Sequence, residues 1–219
     1  VRCEYKDGKW GELYATEDVN MNIHMASTCL HYGQEVFEGL KAFRGADGKV
    51  RLFRVEENAK RMINSGEYLK MAVPSVELFT KACIEAVKLN ADYIPPYGSG
   101  ASLYLRPMLI GVGPQVGVKP SADYLFAVFV TPVGPYYKDG FNCIKVIIDY
   151  DHDRAAPKGT GHVKVGGNYA ASLDSGEIAH QKGFASVIFL DPATKQYIDE
   201  CSAANFFGIR DGKYITPDS

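Results

Sequence analysis

Long apolar runs are missing from this chain of 219 residues: no stretch approaches the roughly 18 apolar residues that a membrane-spanning helix needs. The N-terminal Val1-Arg2-Cys3-Glu4-Tyr5-Lys6 has no apolar segment of the secretory kind, so the expected location is cytoplasmic. Neither sign of charge dominates. The 24 Lys and Arg residues nearly cancel the 26 Asp and Glu, which excludes a broad nucleic-acid surface and a polybasic membrane patch. Any anion has to be held locally. Cysteine is limited to Cys3, Cys29, Cys83, Cys143 and Cys201, an odd and widely spaced set without a C-x-x-C pair. That pattern argues against a disulfide framework and a zinc site, and for a reducing compartment. Asp151-His152-Asp153 and His162 offer no second ligand at helical spacing, so no metal is expected. Neither G-x-G-x-x-G nor G-x-x-x-x-G-K-[ST] occurs, which leaves nucleotide binding unsupported. Repeats and low-complexity tracts are absent, as is an initial methionine, and the last of these suggests a piece of a longer chain.

What is present builds a globular protein. A hydrophobic content of 46% over this length suits one large or two small domains. Residues 1–14 alternate around Lys6-Asp7-Gly8-Lys9 and read as a hairpin; Val36 to Arg44 and Lys49 to Arg54 read as another. Helical spacing runs from Glu56 to Leu69 and from Val76 to Asn90, the latter opened by Pro74-Ser75. Ala101 to Val112 and Tyr124 to Val130 read as buried strands, and Thr131-Pro132-Val133-Gly134-Pro135 as a linker. Beyond it come a strand at Cys143 to Tyr150, a loop at Arg154 to His162 and a helix at Asn168 to Lys182. Strands at Ala185 to Leu190, Gln196 to Asp199, Asn205 to Arg210 and Lys213 to Thr216 follow. Hairpins beside segregated helices indicate an α+β chain. The expected organisation is an N-terminal α+β domain at 1–131, a linker at 132–138 and a second domain at 139–219.

The stretch Gly161 to Ala171 holds the chemistry, with Lys164 at its centre. A free lysine has a pKa near ~10.4 and is almost wholly protonated at neutral pH. It becomes a nucleophile when buried beside other cations, or when tied up as a Schiff base with an aldehyde cofactor. Gly166 and Gly167 let the backbone turn and a planar group approach, and Tyr169 can reach the same group. Without these neighbours, Lys164 reads as a surface lysine beside a turn.

Lys164-Val165-Gly166-Gly167-Asn168-Tyr169 resembles the lysine motif of the branched-chain amino-acid aminotransferases, pyridoxal-phosphate enzymes of fold-type IV. Further segments agree in order over nearly the whole chain. The resemblance implies a two-domain fold with pyridoxal 5'-phosphate between the domains, the second domain being the larger, cofactor-binding one. Residue by residue, it makes Lys164 the catalytic lysine and Arg61, in Lys60-Arg61-Met62, the phosphate holder. Glu200, in Tyr197-Ile198-Asp199-Glu200-Cys201-Ser202, becomes the carboxylate against the pyridine nitrogen. Tyr169 becomes the donor to the ring hydroxyl, and Asn205, in Ala204-Asn205-Phe206-Phe207, supporting structure near the site. These are the groups such a cofactor needs. Asp199, by strand alternation, is expected to point away from Glu200. On the substrate side, His31-Tyr32-Gly33-Gln34-Glu35-Val36-Phe37-Glu38-Gly39 resembles a pocket-lining motif, with Phe37 as an apolar wall and Tyr32 near a subunit interface. Tyr104-Leu105-Arg106-Pro107 resembles a strand whose tyrosine and arginine face substrate, and alternation puts those two side chains on one face.

The activity implied is transfer of the amino group between leucine, isoleucine or valine and 2-oxoglutarate or glutamate. The implied assembly is a homodimer that engages neither nucleic acid nor membrane. A D-amino-acid aminotransferase or an aminodeoxychorismate lyase of the same fold is the alternative within the class, and a noncatalytic fragment or binding module the alternative outside it. Family members continue past Ser219, so a C-terminal part of the family fold is expected to be absent from this chain.

Overall fold

The computed structural model describes residues 1–135, 140 and 142–218. The chain divides into two compact units, Val1–Gly140 and Phe141–Ser219. Residues 136–138 of the expected linker and residue 139, the expected start of the second domain, lie outside the described residues. No helix among the described residues is long and apolar enough to cross a membrane.

The first unit is built on two ten-residue strands, β6 (Ser102–Gly111) and β7 (Tyr124–Val133), paired antiparallel along their whole length. Outside β7 lie β1 (Arg2–Lys6) and β2 (Lys9–Trp10). Their hairpin closes through Asp7-Gly8 at φ 52° and 79°, the doubly left-handed turn whose twist matches its strands. Outside β6 lie β3 (Glu35–Phe37) and β4 (Leu40–Arg44), and β4 carries β5 (Val50–Leu52) at the edge. Leu103, Leu105 and Leu109, at odd positions of β6, are fully buried. Against that face pack α2 (Val55–Tyr68), with Ala59 and Met62, and α3 (Val76–Leu89), with Phe79, Ala82 and Cys83. The Phe79 ring stacks 5.8 Å from that of Phe126, and burying each such side chain stabilises the unit by about 2 kcal/mol. Ser75 opens α3 by accepting a hydrogen bond from the Leu78 N–H. Even positions of β6, Tyr104, Arg106 and Met108, are only half-buried and form the opposite face.

Two features of this sheet differ from the sequence reading. The strand expected from Val36 to Arg44 is interrupted at Glu38-Gly39, opposite Pro107. The Glu38 N–H donates to the Pro107 carbonyl at 2.8 Å, but proline has no N–H to return the bond. The strand that begins at Tyr124 runs through Thr131, Pro132 and Val133, residues that read as linker. Val128 donates its N–H to Val1 on the outer side of β7, so Pro132, four residues on, turns its nitrogen to that same side, beyond the end of β1. The missing donor therefore costs no ladder bond to β6.

In the second unit β8 (Val146–Asp149) and β9 (Ser186–Leu190) are parallel, and β10 (Ile198–Cys201) lies antiparallel on β9. Between β8 and β9 the chain crosses over through α4 (Gly166–Ala170) and α5 (Leu173–Gln181), and Ala179 of α5 joins Val187 and Phe189 in the core. The helix expected from Asn168 to Lys182 is thus two. Its break is at Ser172, whose N–H and hydroxyl both bond the Tyr169 carbonyl, three residues back, and so end the α-helical ladder. A second Asp-Gly turn, Asp211-Gly212, joins β11 (Gly208–Arg210) to β12 (Lys213–Ile215).

Among the carboxylates that link this fold to pH are Asp191 and Asp47. Backbone N–H groups of Tyr197, Thr194 and Gln196, with the Thr194 hydroxyl, hold Asp191 at about 2, and the Arg51 guanidinium with the Lys49 N–H holds Asp47 at about 2. Both values lie below the ordinary 3.8, so the unfolded chain takes up these protons first. Stability present above that value is lost as pH falls through it toward 2. Urea midpoints measured across this window are expected to fall, and Asp47→Asn with Asp191→Asn to flatten the slope. An unchanged slope in the double variant contradicts the assignment.

Candidate active site

Lys164 follows the loop at 154–163, and one residue, Val165, separates it from α4. Its neighbours Val163 and Val165 are buried, and the Val165 N–H donates to the Val163 carbonyl at 3.2 Å, a tight turn at whose centre the half-buried lysine stands. The Lys164 Nζ donates to the Tyr169 hydroxyl at 2.7 Å and lies 5.0 Å from the centre of that ring. Asn168 secures the loop from within α4. Its Nδ2 donates to the carbonyls of Thr160 (2.7 Å) and Val163 (2.9 Å), and its Oδ1 accepts from the Thr160 hydroxyl (2.6 Å). This side chain is 6% exposed with its amide satisfied on both ends.

Arg154 connects the lysine to the carboxylate. Its guanidinium lies 5.5 Å from the Tyr169 ring centre, donates from Nη1 to the Asn168 carbonyl at 3.2 Å, and places Nε 3.4 Å from Glu200 Oε2. The arginine side chain is 11% exposed and the glutamate 32%, so the cation is largely buried while the carboxylate keeps partial access to water. Glu200 lies inside β10, where the sequence reading ends the strand at Asp199. Pairing shifts between Ile198 and Glu200, and the bulge cancels the simple alternation expected of Asp199. Both carboxylates line one cavity of about 470 Å³, together with Arg154 and His162. Burial pushes the Asp199 carboxyl above its ordinary range, with the charge of Arg154 working against it. Asn205 is exposed before β11 and makes no side-chain hydrogen bond among the described residues.

The first unit holds the other residues in two groups. On the half-buried face of the sheet, Arg106 donates from Nε and Nη2 to the Tyr104 hydroxyl (3.3 and 3.0 Å), and its guanidinium covers the Phe37 ring at 4.7 Å. Gly39 makes room for that hydroxyl: a Cβ there would stand 2.3 Å from the Tyr104 oxygen. At the start of the helical layer, Arg61 on α2 directs Nε and Nη2 at Glu38, at 2.6 and 2.7 Å. Tyr32, in the short helix α1 (Thr28–Tyr32), is tied elsewhere, its hydroxyl donating to the Val116 carbonyl.

Two partners escape the sequence reading: Arg154 and Glu38. Arg154 stands in a stretch without periodicity, and Glu38 lies inside a quoted motif with no signal that it is buried. Within the second unit stand an amine beside a phenol and a carboxylate beside a cation, groups that suit an aldehyde-bearing pyridine. The first unit by itself holds a guanidinium on a helix, a fork that suits a phosphate.

Comparison with known proteins agrees with this chemistry. The branched-chain-amino-acid aminotransferase of Haemophilus influenzae is 54% identical to the chain over 223 residues, covering 99% of this chain and 65% of that protein. The Helicobacter pylori protein of the same name is 52% identical over 98% of this chain and is covered over 64% of its own length. The chain thus spans a little under two thirds of these relatives. Among solved structures, the branched-chain amino acid aminotransferase from Escherichia coli superposes with a TM-score of 0.70 at 27% identity, over 98% of this chain and 66% of that one. A family model described as amino-transferase class IV matches residues 35–219. With that match over most of its length, the chain belongs to amino-transferase class IV.

Proposed function

We propose that this protein is a pyridoxal-phosphate-dependent aminotransferase that moves the amino group between branched-chain L-amino acids and 2-oxoglutarate. The observation that carries the reading is the Lys164 amine bonded at 2.7 Å to the Tyr169 hydroxyl, beside an ion pair that holds Glu200. The names of the relatives supply the substrate class. When bound, pyridoxal phosphate supplies an electron-accepting ring that stabilises negative charge at the substrate Cα.

The residues of the chain do the rest. Lys164 Nζ would hold the cofactor aldehyde, and its amine is the base placed to take the proton from the substrate Cα. The Tyr169 hydroxyl accepts from that amine and would donate to the ring hydroxyl of the bound cofactor. Glu200, paired with Arg154, would face the ring nitrogen and favour its protonated form. Arg61 binds the phosphate with a planar fork that an ammonium does not offer. Phe37 gives an apolar wall for a branched side chain, and Arg106 with Tyr104 a polar edge for the second carboxylate of glutamate. Tyr32 and Asn205 complete the proposed surroundings. A homodimer in the cytoplasm fits this reading, and the five free thiols are consistent with a reducing compartment.

The test is amino-group transfer to 2-oxoglutarate from L-leucine, L-isoleucine and L-valine against their D-enantiomers. The L donors are expected to react at least about a hundredfold faster, a difference of roughly 2.7 kcal/mol in barrier. Preference for D donors, or release of pyruvate from a chorismate-derived amine without transfer, overturns the reading.

A further inference from the structure

Glu38 is the one acidic side chain among the largest fully buried residues described, at 0% exposure. Its Oε1 accepts from Arg61 Nε at 2.6 Å; its Oε2 accepts from Arg61 Nη2 at 2.7 Å, from Asn58 Nδ2 at 2.8 Å and from the Gly39 N–H at 3.4 Å. Arg61 is different: its side chain is 53% exposed. The ion pair therefore joins a wholly sequestered carboxylate to a cation whose far side faces outward. Moving a carboxylate out of water costs as much as such a pair returns, and an apolar pair often serves stability as well. Stability alone does not account for Glu38.

A long, unbranched side chain on an exposed helix face samples many rotamers, and each is lost on binding an anion. Two parallel hydrogen bonds to one carboxylate fix the plane of the guanidinium as well as its position. The backbone that carries Glu38 is itself fixed, because the neighbouring residues are committed to the sheet face. Phe37 lies under Arg106, and Gly39 is filled by the Tyr104 hydroxyl. Three consecutive residues thus serve two groups: Glu38 reaches through the sheet to the helix, while Phe37 and Gly39 shape the face where substrate is proposed to bind.

We propose that Glu38 is a positioning residue that pre-sets the Arg61 guanidinium for the cofactor phosphate, a proposal that rests on the aminotransferase reading of Arg61. The discriminating probe is a pair of aldehydes, pyridoxal 5'-phosphate and pyridoxal, which differ only in the phosphate. Affinities of the cofactor-free protein for both are measured by the visible band that each gives on Lys164, for the parent protein, Glu38→Gln and Asn58→Ala. Glu38→Gln keeps the shape of the side chain and removes its charge. It is expected to weaken pyridoxal phosphate about tenfold or more while changing pyridoxal less than about twofold, the loss being confined to a charge-assisted contact. Asn58→Ala, which takes one donor from the same carboxylate, is expected to weaken pyridoxal phosphate about threefold in the same selective way. Equal losses for the two aldehydes in both variants make Glu38 merely structural and overturn the proposal, as does an unchanged preference for the phosphate. If the parent protein itself shows no preference for the phosphorylated aldehyde, Arg61 is not the phosphate anchor, and the role of Glu38 falls with that assignment. If it shows no band dependent on Lys164, the aminotransferase reading fails first.

Discussion

Replacing Lys164 with alanine is expected to remove the visible band formed with pyridoxal phosphate and to reduce amino transfer by on the order of ten-thousandfold or more. The size of the effect follows from the number of tasks on one nitrogen. On the proposed reading Lys164 Nζ would both hold the cofactor and serve as the base at the substrate Cα. The nearest lysines in the chain are Lys158, exposed in the preceding loop on the wall of the cavity that Glu200 lines, and Lys182 at the far end of α5. Tyr169→Phe provides the scale. It removes the hydroxyl that accepts from Lys164 while leaving the amine in place, so a loss nearer tenfold, about the worth of one hydrogen bond, is expected. The experiment is a spectrum of each variant with pyridoxal phosphate, before and after L-leucine. A band that survives in Lys164→Ala assigns the attachment to another lysine and removes the centre of the proposed mechanism.

The second large effect is on stability. Asn168→Asp is expected to lower the stability of the second unit by about 2–4 kcal/mol, more than most surface substitutions in the protein could. The side chains have the same shape, so the change isolates hydrogen bonding. In the native protein the Asn168 amide donates to the Thr160 and Val163 carbonyls. An aspartate puts an oxygen in that place, facing two carbonyl oxygens inside the protein, and either carries a buried charge or takes up a proton that satisfies only one of them. The loop at 160–163 leads directly into Lys164, so pyridoxal phosphate should also bind more weakly. Urea unfolding followed at neutral pH measures the first effect. A midpoint equal to that of the parent protein means that the loop is held by something other than this amide.

Asn168 also shows what a linear sequence reveals and what it does not. Lys164, Asn168 and Tyr169 lie within one short stretch, and local helix geometry brings them together once α4 is recognised. Ser75 and the stripe Phe79, Ala82, Cys83, Ala86 mark α3 for the same reason, since a cap and a period act over a few residues. The α+β class was equally open to reading from hairpin turns and helical stripes. Arg154 with Glu200, and Glu38 with Arg61, meet only after the sheets form, and nothing near either arginine in the chain names its partner. The bulge at Asp199 defeats the rule of alternation, which holds only while each residue has one partner across the ladder. Ser172 breaks a helix that apolar spacing alone would continue, because its hydroxyl and N–H compete for one carbonyl. Pro132 misleads in the opposite direction. Proline commonly ends a strand, and whether it does depends on which side of the sheet its nitrogen faces.

That orientation bears on self-association. Past Val128, no strand among the described residues pairs with the outer side of β7, and a bare strand edge is a template on which another chain can add. An incoming strand would need the donor at position 132, and proline has none to offer. The same residue also fixes its own φ and so resists the flattening that edge-to-edge stacking requires. Pro132 thus withholds a donor from any strand that would add along this end of β7, while leaving the bonds to β6 intact.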